Sequence, residues 1–429
     1  MIVALAPILI AIASFLLRLF HLASIKSMIF DEIYYVDGAR DFLKYGVEVT
    51  GTKPEFVVHP PVGKWLIASG IKVFGDNPFG WRIATALIGS LMILVVAAIA
   101  HRLFYSPLLT ALAAALMAVD GLALVHSRTA LLDNFLAFFI LVGTYFFIAR
   151  HYWRSGLFLG LALATKWSAL YFILIFGTIA LYRAFTHHTG RDLWRPTFAR
   201  IGAFGLLPLA VYITSWWGWF ASDRGWDRHH SSNPIASFIF YHKEMLNFHT
   251  GLVEKHPYQA NPWSWLVMGR PTSFYYQTPT GCGSTSCSQE VLALGTPLLW
   301  WAGTIAVAVV FGFWIRSLIF KRFDPALTII TTGMVAGYLP WFFFQQRTVF
   351  SFYAIIFEPF VILALVYCAR VFLTSAQRKS ARAYTTAEII LFAAFALIAA
   401  NFIYFLPLYL GQTITYQAWH AHMWFESWI

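Results

Sequence analysis

The sequence predicts an all-α polytopic membrane protein: about eleven transmembrane helices joined by short links and two long loops. Three observations carry that reading. The 429 residues are 59% hydrophobic and only 11% charged, whereas a soluble domain needs about 25% charged residues to cover its surface. The apolar residues lie in long runs, where a membrane barrel would alternate in segments of about 10. Arg and Lys gather in particular links, as on the cytoplasmic side of a multi-span protein.

The first run is Met1 to Phe20. Ala11-Ile12-Ala13 looks like a signal-peptide cleavage site, but no basic segment precedes it and more spans follow. The run is therefore expected to stay as the first helix. Further spans are expected at 83–100, 108–124, 131–149, 155–165, 167–182, 201–219, 295–315, 326–344, 348–371 and 386–406. The stretch from Ser155 to Tyr182 is long for one span and short for two of about 20 residues. Arg150 and Arg154 precede it, and Arg183, Arg191, Arg195 and Arg200 follow it. Both basic links share a side only if the stretch crosses twice, with Lys166 near the outer turn. With the N-terminus inside, the inner links and span ends hold fourteen Arg and Lys against three acids, the whole net charge of +11. Membrane orientation accounts for the basic pI, and nucleic-acid binding is a poor explanation of it.

Two outer loops are long. The loop at 21–81 should hold a helix after Asp31, with Ile33, Val36, Ala39, Phe42 and Leu43 on one face. His59-Pro60-Pro61 then leads into Val62 to Phe74. Pro suits a helix's first turn, and Trp65, Leu66 and Ile67 beside Lys64 and Lys72 suit an interfacial helix. The loop at 220–293 is rich in Trp, His, Tyr and Pro. Its Cys282 and Cys287 are disulfide candidates if the loop faces an oxidising compartment. Zinc is disfavoured, with only two ligands close together. No repeat divides the chain, which reads as one membrane domain over 1–429.

Asp31 and Glu32 are adjacent carboxylates just past the first span, in a chain with only 19 acids. Asp is a common helix N-cap and Glu suits a first turn. Equally, a carboxylate beside a hydroxyl is a general base. Neighbours on a helix diverge by about 100°, so the two acids should have separate roles. Arg18, Arg82, Arg128, Lys166 and Arg347 fall at outer span ends. Each alone is an ordinary interfacial anchor; together they suit an anionic headgroup at that depth. Asp133 and Glu358 are candidate partners for these cations. His59, His242, His249 and His256 follow no metal-ligand spacing, and should make structural hydrogen bonds or substrate contacts.

Several segments then occur in a telling order: Phe30-Asp31-Glu32; His59-Pro60-Pro61-Val62-Gly63-Lys64; Arg82 leading into Ala86-Leu87-Ile88-Gly89; and Ser127-Arg128-Thr129-Ala130-Leu131-Leu132-Asp133. Ala164-Thr165-Lys166-Trp167, His256-Pro257-Tyr258 and Asn261-Pro262-Trp263-Ser264-Trp265 follow. Over nearly the whole chain this set resembles the protein O-mannosyltransferase family. The resemblance implies a C-type glycosyltransferase (GT-C) fold. It implies inverting transfer of mannose from polyprenyl-phosphate mannose to Ser or Thr of a translocating protein. Asp31 then matches the catalytic base, and Glu32, Arg18 and Arg82 match positions tied to activity. His59, Arg128, Asp133, Lys166 and Arg347 are the further expected substrate contacts, the cations from depth and charge.

Eukaryotic members carry a β-trefoil domain where residues 220–293 stand here. The loop is too short for one, which points to a bacterial enzyme of actinobacterial type. A phosphate leaving group needs cations, and a weak alcohol nucleophile needs a base. No cofactor is therefore required beyond the lipid-linked donor, and no divalent metal is predicted, although Asp31 and Glu32 could hold one in a related enzyme. Expected partners are the donor lipid, membrane lipids and translocating acceptor proteins, with the secretion translocon beside them. The expected place is the plasma membrane, with the site and C-terminus extracytoplasmic. Rival readings are a GT-C transferase of another sugar, such as arabinose or aminoarabinose, a transporter, and a non-catalytic subunit. Transporters usually show repeats and midplane sites, which this chain lacks. Retention of both carboxylates speaks against the subunit.

Overall fold

The computed structural model describes residues 2–429. The first helix, α1 (Ile2–Leu19), leads into α2 (Glu32–Tyr45), a short hairpin of β1 (Val49–Thr50) and β2 (Lys53–Pro54), and α3 (Val62–Phe74). Next come α4 (Pro78–Phe104), α5 (Pro107–Ala118), α6 (Gly121–His126), α7 (Leu132–Ile148), α8 (Tyr152–Leu163) and α9 (Ala169–His187). α10 (Trp194–Ile201) continues through a π turn into α11 (Leu207–Ser215), followed by α12 (Trp217–Ala221) and α13 (Pro234–Gly251). After β3 (Thr272–Gln277) and β4 (Cys287–Ala293) come α14 (Pro297–Ile319), α15 (Pro325–Gly337), α16 (Glu358–Gln377) and α17 (Ala381–Leu410). β5 (Thr413–Thr415) and α18 (Tyr416–His422) follow.

All eleven expected runs are helical. Among the described residues, seven helices are long and apolar enough to cross a membrane, and the shorter apolar helices Leu5–Leu19, Pro107–Ala118 and Leu132–Ile148 lie beside them. The chain is thus a multi-pass membrane protein. The stretch from Ser155 to Tyr182 breaks into α8 and α9, with Lys166 in the turn between them. Some runs differ from expectation, and that at 326–344 is α-helical only to Gly337 before a 3-10 turn over Leu339–Phe344. The run at 108–124 is two helices, because the Asp120 carboxylate accepts from the Leu122 and Ala123 amides (2.8 and 3.2 Å) and restarts the chain as α6. The run at 348–371 opens as a 3-10 turn over Ser351–Ile356, and its α-helix starts only at Glu358.

The loops are more ordered than their composition suggested. β3 and β4 pair antiparallel, β5 adds to β4, and a disulfide joins Cys282 in the β3–β4 connection to Cys287 at the start of β4. The helical bundle thus carries a small sheet that an all-α reading omits. The two long loops pack on each other. The Tyr241 hydroxyl on α13 donates to the Val57 carbonyl (2.8 Å) and accepts from the Val57 amide (3.0 Å). The Val62 amide donates to the Ala164 carbonyl (3.0 Å), tying α3 to the turn that holds Lys166. Gly63 allows this approach, since a Cβ there would stand 2.6 Å from Leu132.

α3 spans the expected residues, yet Lys64 does not face an interface. It is 2% exposed and paired with the buried Glu48. A buried cation needs a partner, and Glu48 supplies one. Trp65, Val73 and Phe74 form the exposed face instead.

Candidate active site

Asp31 occupies the N-cap position of α2, yet its side chain makes no capping hydrogen bond. The carboxylate, partly exposed, instead faces Tyr35, one helical turn on. Burial holds the Asp31 carboxyl up at about 6, with Lys166 pulling it down and Asp133 pushing it up. Lys166 Nζ donates to both Asp133 oxygens (2.9 and 3.0 Å) and lies 4.8 Å from the centre of the Tyr353 ring. Asp31, Tyr35, Asp133, Lys166 and Tyr353 thus share one pocket, built from α2, α7, the α8–α9 turn and the turn before α16.

The rim of that pocket is histidine and arginine. His59 and His249 stand with ring centres 5.4 Å apart. His249 Nε2 lies 2.8 Å from the Val58 carbonyl and so carries the proton; Nδ1 then accepts from Arg347 Nη2 at 3.4 Å. Burial drops His249 to about 4 and His59 well below its usual range, so both rings are neutral at pH 7. Arg347 Nε has no partner among the described residues. Behind the rim, Trp167 Nε1 donates to the Tyr212 hydroxyl (2.9 Å). That hydroxyl donates to His242 Nε2 (2.7 Å), and His242 Nδ1 donates to the Phe238 carbonyl (2.8 Å). The chain of bonds fixes Trp167 beside Lys166.

Glu32 and Arg82 are not placed for the substrate contact expected of them. Glu32 is fully buried and Arg82 is 2% exposed. Arg82 donates to both Glu32 oxygens (2.8 and 2.7 Å) and to the Leu22, Ile25 and Ser27 carbonyls. Glu32 also accepts from the Ile29 and Ala130 amides (3.0 and 2.8 Å). All five guanidinium donors and all four carboxylate sites are thereby occupied. The pair ties the link after α1 to α4 and to the start of α7, which positions Asp31 next door.

Two further expected phosphate contacts also differ. Arg128 donates to the Leu17, Arg18, Phe20 and His21 carbonyls. It caps the end of α1, where the last carbonyls lack helical partners. Arg18 points back along α1, as helical side chains do, to the Ser14 carbonyl and hydroxyl. It is fully buried against Gly89, where an added Cβ would stand 3.3 Å from its Nε. Of the five expected cations, then, Lys166 and Arg347 face the Asp31 pocket, while Arg18, Arg82 and Arg128 are turned into the protein. Tyr35 and Tyr353 were not singled out from the sequence. Tyr35 had a signal, its i+4 spacing from Asp31; Tyr353 had none, lying in what reads as a plain apolar run.

Known families answer to this arrangement. The family model for dolichyl-phosphate-mannose-protein mannosyltransferase matches residues 8–220, and that for the C-terminal four-transmembrane region of protein O-mannosyltransferase matches residues 234–428. The chain belongs to the protein O-mannosyltransferase family. Curated relatives in this family include the polyprenol-phosphate-mannose–protein mannosyltransferase of Mycobacterium tuberculosis, 32% identical over 98% of this chain and 90% of that one. The Corynebacterium glutamicum protein of the same name is also 32% identical, over 93% and 88%. Among solved structures, the S. cerevisiae protein O-mannosyltransferase Pmt1-Pmt2 complex bound to the sugar donor superposes with a TM-score of 0.83. It covers 100% of this chain and 93% of its own at 15% identity. ArnT of Cupriavidus metallidurans bound to undecaprenyl phosphate follows at 0.56, over 94% and 76%, with 16% identity. The fold is therefore GT-C. Among the described residues no three His, Cys, Asp or Glu side chains gather to hold a metal.

Proposed function

We propose that the protein transfers mannose from polyprenyl-phosphate mannose to Ser or Thr hydroxyls of secreted proteins, with inversion. The observation that carries the chemistry is Asp31, a carboxylate left out of capping, held at about 6, and next to the Lys166–Asp133 pair. Its family and its relatives' names supply the donor and acceptor class. In the step, Asp31 takes the proton of the acceptor hydroxyl. The hydroxyl oxygen bonds to mannose C1 from the face opposite the phosphate, and the C1–O bond to phosphate breaks, releasing polyprenyl phosphate. Arg347 and Lys166 stabilise the leaving phosphate, an electrostatic role that needs no proton donor. Neutral His59 and His249 offer hydrogen bonds at the rim without adding charge. Asp133 keeps Lys166 charged and aimed. Glu32, Arg82 and Arg128 hold the frame.

This reading puts the Asp31 end outside the cytoplasm, the arginine-rich end and N-terminus inside, and the protein in the plasma membrane, where translocating chains emerge beside the secretion machinery. Charge distribution supports it. The test is transfer of mannose from polyprenyl-phosphate mannose to a Ser/Thr-rich peptide by membranes holding wild type or Asp31→Asn. Loss of transfer by about 10²–10⁴ is expected in the variant. Undiminished transfer removes Asp31 as base, and no transfer by wild type with several acceptors points to another sugar.

A further inference from the structure

At the other end of the bundle lies a cavity of about 1,400 Å³, larger than the roughly 300–1,000 Å³ of most small-molecule sites. α4 sets the separation: Arg82 is in its first turns and Arg102 in its last, about 30 Å along the axis at 1.5 Å per residue. Arg102, Arg150, Arg154, Arg183, Arg200 and Arg370 all line this cavity. They come from α4, the α7–α8 link, α8, α9, α10 and α16. Apolar side chains line it with them, among them Leu103, Ile148 and Ile329.

Crowding of arginines on one side is ordinary for a membrane protein. Convergence on one hollow without partners is not explained that way. Among the described residues, every ion pair with an arginine or lysine involves Arg40, Lys64, Arg82 or Lys166, and none involves these six. The one acid in the lining, Asp324, already accepts from the Ala326 amide (2.8 Å) and the Tyr367 hydroxyl (3.1 Å). Arg200 Nη1 donates to the Pro196 carbonyl (3.3 Å), while its Nε is buried without a partner among the described residues. Five of the six rest on aromatic rings: Arg102 on Tyr145, Arg154 on Phe146, Arg183 on Phe147, Arg200 on Tyr152 and Arg370 on Phe104, all within 5.9 Å. Stacking occupies a guanidinium face and leaves the in-plane N–H donors for an anion.

We propose that this cavity binds an anionic phospholipid, its phosphate on the arginines and its acyl chains along the apolar wall. The apolar lining favours a lipid over a free phosphate, and basic hollows between membrane helices are suited to such headgroups. The test uses purified protein in neutral detergent with equal dioleoyl-phosphatidylglycerol and dioleoyl-phosphatidylcholine, read by native mass spectrometry. Wild type should retain phosphatidylglycerol over phosphatidylcholine by more than about tenfold. The Arg102→Gln/Arg183→Gln/Arg370→Gln variant should lose that preference, and Arg191→Gln/Arg195→Gln, near this end but outside the cavity, should keep it. If the triple variant does not fold, the exposed Arg154→Gln alone should lower the preference about threefold. Equal retention of both lipids by wild type overturns the proposal, as does a preference unchanged in the cavity variants or equally reduced in the Arg191/Arg195 control. Displacement of the lipid by millimolar inorganic phosphate would assign the arginines to a soluble phosphate compound and overturn it too.

Discussion

Asp31 and Glu32 are neighbours with the same functional group in two differently built surroundings. Around Glu32 every lone pair meets an N–H and every Arg82 donor meets an oxygen. Around Asp31 the capping bonds are absent, and Lys166 is close but bound to Asp133. The same contrast sorts the cations. Arg82 and Arg128 satisfy backbone carbonyls, whereas Arg347 keeps an unpartnered nitrogen at the pocket rim. A saturated group holds structure; a group with unused capacity is available to a substrate. Counting hydrogen bonds separates Glu32 and Arg82 from Asp31; Arg18, whose Nε and Nη2 also lack partners among the described residues, is kept from substrate by full burial instead.

The hardest test of this contrast makes the same change on both sides of it. Asp31→Asn should lower transfer by about 10²–10⁴ without lowering the melting temperature. The sign follows from the carboxyl being held at about 6, above its ordinary value near 3.9. The fold then binds that proton more tightly than the unfolded chain does. Its stability declines as pH rises from about 4 to 6, and at neutral pH the charged form weighs against folding. Asn removes that charge. Glu32→Gln should do the reverse: it unpairs a buried Arg82 and should cost about 3–5 kcal/mol. Thermal unfolding in detergent should show the loss, with lost activity following lost folded protein and returning on cooling. A Glu32→Gln protein as stable as wild type but inactive would exchange the roles of the two carboxylates.

Much of this was legible in the sequence. Apolar run length gave the helices, and the two basic links around Ser155–Tyr182 gave the turn at Lys166, because charge near span ends is sorted by side. Depth put Lys166 and Arg347 at the same outer end as Asp31, but it put Arg18, Arg82 and Arg128 there equally. What depth cannot give is direction. Arg18, Arg82 and Arg128 end spans as Lys166 does, but Arg82 and Arg128 turn inward onto backbone carbonyls at the end of α1 and in the link to α2, and Arg18 folds back onto Ser14 within α1. Those carbonyls belong to no motif. The sheet of β3, β4 and β5 was hidden for a similar reason: β5 lies more than a hundred residues after β4, and Thr413–Thr415 is too short to show a period.

A finer test shifts the pocket without removing Asp31. In wild type, transfer should fall about tenfold per pH unit below about 6 as Asp31 takes up a proton. Lys166 lowers that value and Asp133 raises it. Asp133→Asn should therefore move the acid limb to lower pH, and Lys166→Gln should move it to higher pH, alongside weaker donor binding. The two shifts have opposite signs although both variants break one ion pair. A purely structural role for that pair would move both profiles together, or neither. Arg128→Gln, made at a cation that caps the end of α1, should leave the acid limb in place while lowering stability.

The smallest effect is expected at the disulfide, which ties the β3–β4 connection to the start of β4 and touches none of the pocket residues. It closes a loop of sequence separation 5, for which the chain-entropy model gives about 2 kcal/mol. A Cys282→Ser/Cys287→Ser variant should unfold somewhat earlier on heating, yet transfer mannose at the wild-type rate with the wild-type pH profile. Reducing agent should shift the melting of wild type toward that of the variant and leave the variant unchanged. The second loop meets the pocket through α13, by way of Tyr241, His242 and His249, and through Phe274 of β3, which stacks on Phe30 beside Asp31 (4.6 Å), at the end of the hairpin strand away from the disulfide. A loss of transfer in the cysteine variant, at a temperature where it stays folded, would therefore mean that the hairpin holds the acceptor, and would extend the open region of the comparison across the loop.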